Sequence, residues 1–212
     1  MVLLAFFVSS TALSHAGRHT ERKRRLQQIG KTGARDGTQV LANGGIAAIC
    51  ALASTSGDPI WHVSFAAALA VATADTWGTE IGALQTRSPR SILTGKPIAA
   101  GLSGAVSALG TAAELGGAIF ISAVAWAANV TPALLAVTAG GFVGALLDSV
   151  LGASVQALRF CRGCETYCEA DPHHCGADTT LVRGAPWMTN DAVNFLATAG
   201  GAAVAAAIYI VH

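Results

Sequence analysis

The stretch Ala72-Thr73-Ala74-Asp75-Thr76-Trp77-Gly78-Thr79-Glu80-Ile81-Gly82 decides how this chain is read. It closes an apolar run that begins at Ile60, so two carboxylates fall inside or at the edge of a segment that otherwise has the make-up of a membrane span. An ionised carboxylate in hydrocarbon costs roughly 2.5–3.5 kcal/mol on insertion scales, so such residues face a protein interior, a water-filled cavity or a partner. On a helix, Thr73, Thr76 and Glu80 share one stripe, and Asp75, Thr79 and Gly82 share the next. The segment is an Ala-rich helix with one polar face. The bland reading is a structural polar face; the sharper one, which the intramembrane setting favours, is a functional site.

Composition supports a membrane setting. Of 212 residues, 52% are hydrophobic and 12% charged, against about 25% charged in soluble domains. The 24 glycines and many alanines suit close helix–helix approach in lipid. The net charge of +1 names no acidic partner, and nucleic acid is not expected. The expected architecture is all-α: one polytopic membrane helix bundle of about six transmembrane helices over residues 1–212, with a Cys/His-rich loop at 155–190.

Six apolar segments can be drawn, at about 2–16, 40–56, 60–82, 99–126, 132–154 and 191–211. A spanning helix needs about 20 residues. The third, fifth and sixth meet this; the second is short. The fourth is long, carries Glu114 near its middle and offers a break at Gly116-Gly117. The first has the apolar core of a signal peptide and a Ser14-His15-Ala16 end like a cleavage site. It lacks a basic start and is followed by Arg18, Arg22, Lys23, Arg24 and Arg25, which favours an uncleaved anchor with its N-terminus outside.

From that orientation the loops alternate. Loops 17–39, 83–98 and 155–190 fall on one side and hold all 13 Lys and Arg residues; loops 57–59 and 127–131 hold none. The positive-inside rule makes the first set cytoplasmic and the protein a multi-pass protein of the cell membrane. The basic residues can serve topology and anionic lipid headgroups, or bind phosphate.

Depth follows. Asp75 and Glu80, then Asp148 and Ser149, lie near the inner ends of segments three and five. Asn190, Asp191 and Asn194 open segment six, and Gln39 and Asn43 open segment two. Four helices thus place acids or amides in one layer, and Glu114 alone is expected elsewhere, as a packing residue. Carboxylates without buried cationic partners repel one another, and Mg²⁺ relieves this with one or two carboxylates plus substrate phosphates. Asp75, Glu80 and Asp148 are the candidate metal ligands or base. Lys31, Arg35 and Arg87 are candidate phosphate ligands, with Gln39, Asn43, Thr76, Asp191 and Asn194 as further polar groups of the substrate site. Carboxylates, a metal and basic side chains are the parts of phosphoryl transfer.

Within 155–190, Cys161-x-x-Cys164 followed by His174 or Cys175 has ligand types and spacing suited to structural zinc, with Cys168 as a further candidate. The expected ligands are Cys161, Cys164, Cys175 and either His174 or Cys168. The other reading is reduced cysteines without metal, or a redox pair.

Three blocks carry a resemblance: Gln39-Val-Leu-Ala-Asn-Gly-Gly45, Ala72–Gly82 and Asn190-Asp-Ala-Val-Asn194. They resemble signature blocks of the transmembrane protein 19 family, whose prokaryotic members form a domain-of-unknown-function group of integral membrane proteins. The Cys161–Gly176 block is similar to one in many prokaryotic members. The resemblance runs from about residue 20 to the end. That family includes a plant chloroplast phytyl-phosphate kinase. The resemblance therefore implies a polytopic membrane fold and a kinase of phytyl or polyprenyl monophosphate, using Mg²⁺ with CTP or ATP. A small-solute or ion-coupled transporter, or a non-enzymatic membrane protein, is the alternative.

Overall fold

The computed structural model describes residues 1–16, 37–85 and 87–211. Among these are six α-helices: α1 (Val2–Ala16), α2 (Gly37–Ala53), α3 (Ile60–Gly82), α4 (Ala108–Ala127), α5 (Leu134–Ser154) and α6 (Asn190–Val211). Four helical stretches are long and apolar enough to cross a membrane: Gly37–Ser56, Ala108–Ala127, Leu134–Ser154 and Asn190–Val211. At about 1.5 Å per residue, 20 residues reach about 30 Å, the thickness of the hydrocarbon core. The second span, read as short, gains length by starting at Gly37 and running on through a 3₁₀ turn at Ser54–Ser56.

The most buried helix is the one that fails the apolar test. α3 has 23 residues but carries Thr73, Asp75, Thr76, Thr79 and Glu80. It packs against all five other helices, and nearly every residue from Val63 to Ala74 is buried. Thr73 is buried, Asp75, Thr76 and Glu80 are half-buried and Thr79 is exposed, so packing against protein offsets part of the insertion cost. Alanine and glycine make the close packing possible. A Cβ at Gly117 of α4 would lie 3.0 Å from the Ala74 Cα of α3, and one at Gly140 of α5 would lie 2.5 Å from the Gly201 carbonyl of α6. The molecule is a polytopic helical bundle with α3 as its axis.

The connections carry two small antiparallel sheets that hydropathy does not show. Strand β1 (Arg90–Ser91) pairs with β2 (Ala105–Val106). In the Cys/His-rich loop, β3 (Leu158–Cys161), β4 (Thr166–Cys168) and β5 (Thr179–Arg183) form a sheet of order β4-β3-β5. The fourth segment, drawn from 99, starts as a helix only at Ala108. Gly101 and Gly104 have φ of 97° and 81°, which ends helical continuity before it can begin. Ser107, extended at φ −144°, caps α4 by accepting the Gly110 N–H at 3.1 Å. From there the helix runs unbroken through Gly116-Gly117.

Three hydrogen bonds tie the ends of the bundle together. Ser14 at the end of α1 donates to Glu80 near the end of α3 at 2.7 Å. The Ser103 N–H, before α4, donates to Glu169 in the sheet loop at 2.7 Å. Ala157, after α5, donates to the Met188 carbonyl ahead of α6 at 2.9 Å. One end of the bundle thus gathers loops 83–107 and 155–189, with every described Lys and Arg on them. The connections at the other end, 54–59 and 128–133, contain none.

Candidate functional site

At the basic end, α3, α4 and α5 enclose a cleft of about 100 Å³, room for several waters or a small hydrated group. α3 lines it with Asp75, Gly78, Thr79 and Gly82, positions spaced three and four apart and so on one helix face. α4 adds Gly110 and Glu114, and α5 adds Asp148 and Ser149. Residues 100–107, with Ser103 and Ser107, form the rim. Beside these positions on the same three helices, Ala74, Ala118 and Ala145 form a buried apolar cluster with Phe142.

Glu114 is the deepest acid. It is 8% exposed, and its Oε2 is buried without a hydrogen-bond partner among the described residues. Gly78 admits it: a Cβ there would lie 2.5 Å from Glu114 Cγ and 2.9 Å from Oε1. Three carboxylates from three helices therefore share one small space, and the other side chains on it that carry polar atoms are the hydroxyls of Thr79, Ser103, Ser107 and Ser149. An oxygen-only donor set of this kind suits a hard cation such as Mg²⁺.

The cleft brings together Asp75 and Asp148 but not the other candidates. Glu80 points to α1, where its Oε1 accepts from Ser14, and it does not line the cleft. Thr76 donates to the Ala72 carbonyl of its own helix at 2.8 Å. Asn43 donates to the Gln39 carbonyl one turn back on α2 at 3.0 Å. Asp191 and the buried Asn194 open α6, and neither they nor Gln39 and Asn43 line the cleft. Arg87 is exposed on the loop beyond α3. Lys31 and Arg35 lie outside the described residues. Glu114, set apart in the sequence as a mid-span packing residue, belongs instead with Asp75 and Asp148. With α4 starting at Ala108, it sits in the second turn, level with the ends of α3 and α5. The Ser107 cap after two glycines was the available signal.

A second cluster lies in the sheet loop. The ligating atoms of Cys161, Cys164, His173 and Cys175 all lie within 4.8 Å of one another. Cys161 Sγ is 3.7 Å from Cys175 Sγ, and His173 Nδ1 is 3.2 Å from Cys175 Sγ. The histidine is His173 rather than His174: His173 is buried beneath a turn in which its N–H donates to the Ala177 carbonyl, while its neighbour is exposed. Cys168 pairs with Arg159 rather than with Cys161, two residues along the ladder, or about 7 Å away. All four cysteines of the loop are free thiols. The Ala177 N–H holds the Cys175 thiol below its ordinary value. Cys164, hydrogen-bonded to Cys175, is pushed up to about 11, so of these two Cys175 is the readier to ionise.

The model of the integral membrane protein family DUF92 matches residues 1–202. The chain belongs to this family. It is 30% identical over 154 residues to an uncharacterized membrane protein of Methanocaldococcus jannaschii, covering 72% of this chain and 63% of that protein. It is 28% identical to Protein PGR of Arabidopsis thaliana, covering 92% of this chain and 76% of the relative. With an uncharacterized membrane protein of a Synechocystis species it shares 25% identity over 98% of this chain and 72% of the other. The chain thus spans from under two thirds to about three quarters of the length of these relatives. No solved structure matches it.

Proposed function

We propose that this DUF92 protein is a membrane kinase of isoprenoid monophosphates such as phytyl or polyprenyl phosphate. It acts at the cytoplasmic face of the cell membrane with CTP or ATP as donor. One observation carries the reading: Asp75, Glu114 and Asp148 converge from three helices on a cleft at the end of the bundle that bears the basic loops. The cleft sits where the helices end, so a phosphate headgroup can enter it while an isoprenoid tail stays in the apolar layer. The same three carboxylates would hold Mg²⁺, which when bound screens phosphate charge and orients the transferring group. The Oε2 of Glu114, without a hydrogen-bond partner among the described residues, and the oxygen-only donor set support that fit. Around it, Ser103, Ser107 and Ser149 hydroxyls orient phosphate oxygens, and Arg87, Lys31 and Arg35 attract the substrates from the loops. The sequence resemblance to a family that includes a phytyl-phosphate kinase points the same way. The buried apolar cluster of Ala74, Ala118, Ala145 and Phe142 on the same three helices weighs against a carrier, which needs a polar path onward from the cleft.

The test is turnover of phytyl or geranylgeranyl phosphate by the purified protein with Mg²⁺ and each nucleotide. A diphosphate product that disappears in Asp75→Asn supports the reading, and absence of turnover with every pair sinks it. Sidedness is checked by an epitope inserted at the exposed Ser88. It should be reached only after the cells are permeabilised, and detection on intact cells reverses the orientation.

A further inference from the structure

We infer that Cys161, Cys164, His173 and Cys175 bind one structural zinc ion, and that this centre holds the rim of the carboxylate cleft in place through Glu169. The inference stands apart from the kinase reading and needs no activity for its test.

Geometry carries the first half. Zinc–thiolate bonds of about 2.3 Å in a tetrahedron put the sulfurs about 3.8 Å apart. The Cys161–Cys175 separation is 3.7 Å. Two tight turns present the four ligands. Cys161 ends β3, and a turn with Glu165 at φ 50° follows Cys164 into β4. His173 and Cys175 flank the second turn, closed by Gly176 N–H to the His173 carbonyl at 2.7 Å, with Gly176 at φ 81°. Three thiolates and one imidazole form a closed set with no open position, the mark of a structural site.

The sheet needs such a staple. Its strands have only four, three and five residues; Tyr167, Leu181 and Val182 are exposed, and β5 buries none of its residues. A module this small and this open lacks the apolar core that holds larger domains together, and metal substitutes for one.

The second half follows from what hangs on the sheet. Glu169 directly follows β4, whose last residue, Cys168, is paired to β3. Its Oε1 accepts from the Ser103 N–H at 2.7 Å. Its Oε2 accepts from the Ser103 hydroxyl at 3.0 Å and from Gln156 Nε2 at 2.7 Å. Ser103 lines the cleft, and Gly152 of α5 packs so tightly beneath it that a Cβ would lie 2.8 Å from Ser103 Cβ. Zinc fixes the sheet, the sheet fixes Glu169, and Glu169 fixes the rim. Glu169 is thus a positioning residue.

The experiment uses the full chain in detergent, purified without chelators. Elemental analysis should find about one zinc per chain. Cobalt exchanged into the site should give the visible bands of a tetrahedral thiolate-rich centre. His173→Ala should lose the metal, while His174→Ala and Cys168→Ser keep it. Backbone hydrogen exchange then reads the rim. Stripping zinc should speed exchange at Ser103 about tenfold, and Glu169→Gln should do the same with zinc retained, because its amide turns a donor toward donors. Wild-type protein without stoichiometric zinc, or with iron in its place, overturns the site. Loss of metal in His174→Ala with retention in His173→Ala overturns the ligand set. Unchanged exchange at Ser103 after zinc removal overturns the brace.

Discussion

The carboxylate cleft draws Asp75, Glu114 and Asp148 from three helices far apart in the chain, whereas the sulfur cluster draws its outermost ligands from positions only 14 apart. The cleft exists only when the whole bundle is packed, since its acids face one another across α3, α4 and α5. The sulfur cluster needs two local turns and one strand pairing. Their chemistry differs in the same way. Oxygen donors with room beside them suit a hard cation that keeps its waters and meets phosphate. Thiolates and imidazole that converge closely suit zinc held without exchange. One region is arranged to receive something, the other to hold something, and Glu169 joins them at Ser103.

The largest effect expected from this contrast is on the cleft. Asp75→Asn or Asp148→Asn should lower Mg²⁺-dependent phosphate-ester turnover by at least about 100-fold, since even outer-shell partners of a metal are worth 10–100-fold. Zinc content should not change. Amides keep the shape and some hydrogen bonds but lose the charge the cation needs. A merely structural polar face predicts the reverse, with removal of an intramembrane charge neutral or stabilising. Binding offers a second readout. Mg²⁺ with a nucleotide at about 100 times its Kd should stabilise the wild type by about 2.7 kcal/mol, seen as a rise in Tm in detergent. The Asn variants should lose that rise; a variant that retains it breaks the link between the acids and the cation.

How much of this was legible in the sequence depends on distance. The polar face of α3 was readable because Asp75, Thr79 and Gly82 obey a helical period within one segment. The common end of the basic loops was readable from charge placement alone. Glu114 was not. Ile98-Ala-Ala-Gly-Leu-Ser-Gly-Ala-Val106 is apolar enough to pass for the start of a span, and backbone glycines at positive φ, rather than hydropathy, decide that it is a rim. An eight- or nine-residue error in a helix start moves an acid from the membrane boundary to mid-membrane, about 1.5 Å per residue. His173 and His174 could not be told apart by spacing, because only the turn decides which imidazole is buried. Glu169 gave no local signal at all, since its partner Ser103 is 66 positions away.

A smaller effect is expected at Gly78, where the comparison can be sharpened without touching a charge. A Cβ there lies 2.5 Å from Glu114 Cγ, so Gly78→Ala must displace the acid or the helix. Overpacking of this kind costs about 1–3 kcal/mol. The Tm should fall and the Mg²⁺-dependent rise should shrink, while the zinc cluster stays intact. Shortening the neighbour gives the decisive control. In a Gly78→Ala, Glu114→Ala double variant the Cγ is gone and the clash is relieved, so part of the lost stability should return, a coupling expected only for side chains in contact. Equal losses in the single and double variants would mean that Gly78 serves another purpose.

The smallest effect concerns Glu80, an acid one turn and a half from Asp75 on the same helix. Sequence alone gives the two equal standing, but the structure turns them to different neighbours. Asp75 lines the cleft; Glu80 accepts from Ser14 of α1 at 2.7 Å. A hydrogen bond of a charged acceptor contributes about 1.5–3 kcal/mol, and a neutral one about 0.5–1.5. Glu80→Gln keeps an oxygen for the Ser14 hydroxyl, so the expected loss is the difference, on the order of 1 kcal/mol. Turnover should stay within about tenfold of wild type, far from the loss expected of Asp75→Asn. Ser14→Ala removes the whole bond and should lower Tm more than Glu80→Gln does, and the double variant should lose little beyond Ser14→Ala, because the two residues share one interaction. If Glu80→Gln instead abolishes the Mg²⁺-dependent rise in Tm, the acid site extends around α3 toward α1, and the cleft as drawn is only one wall of it.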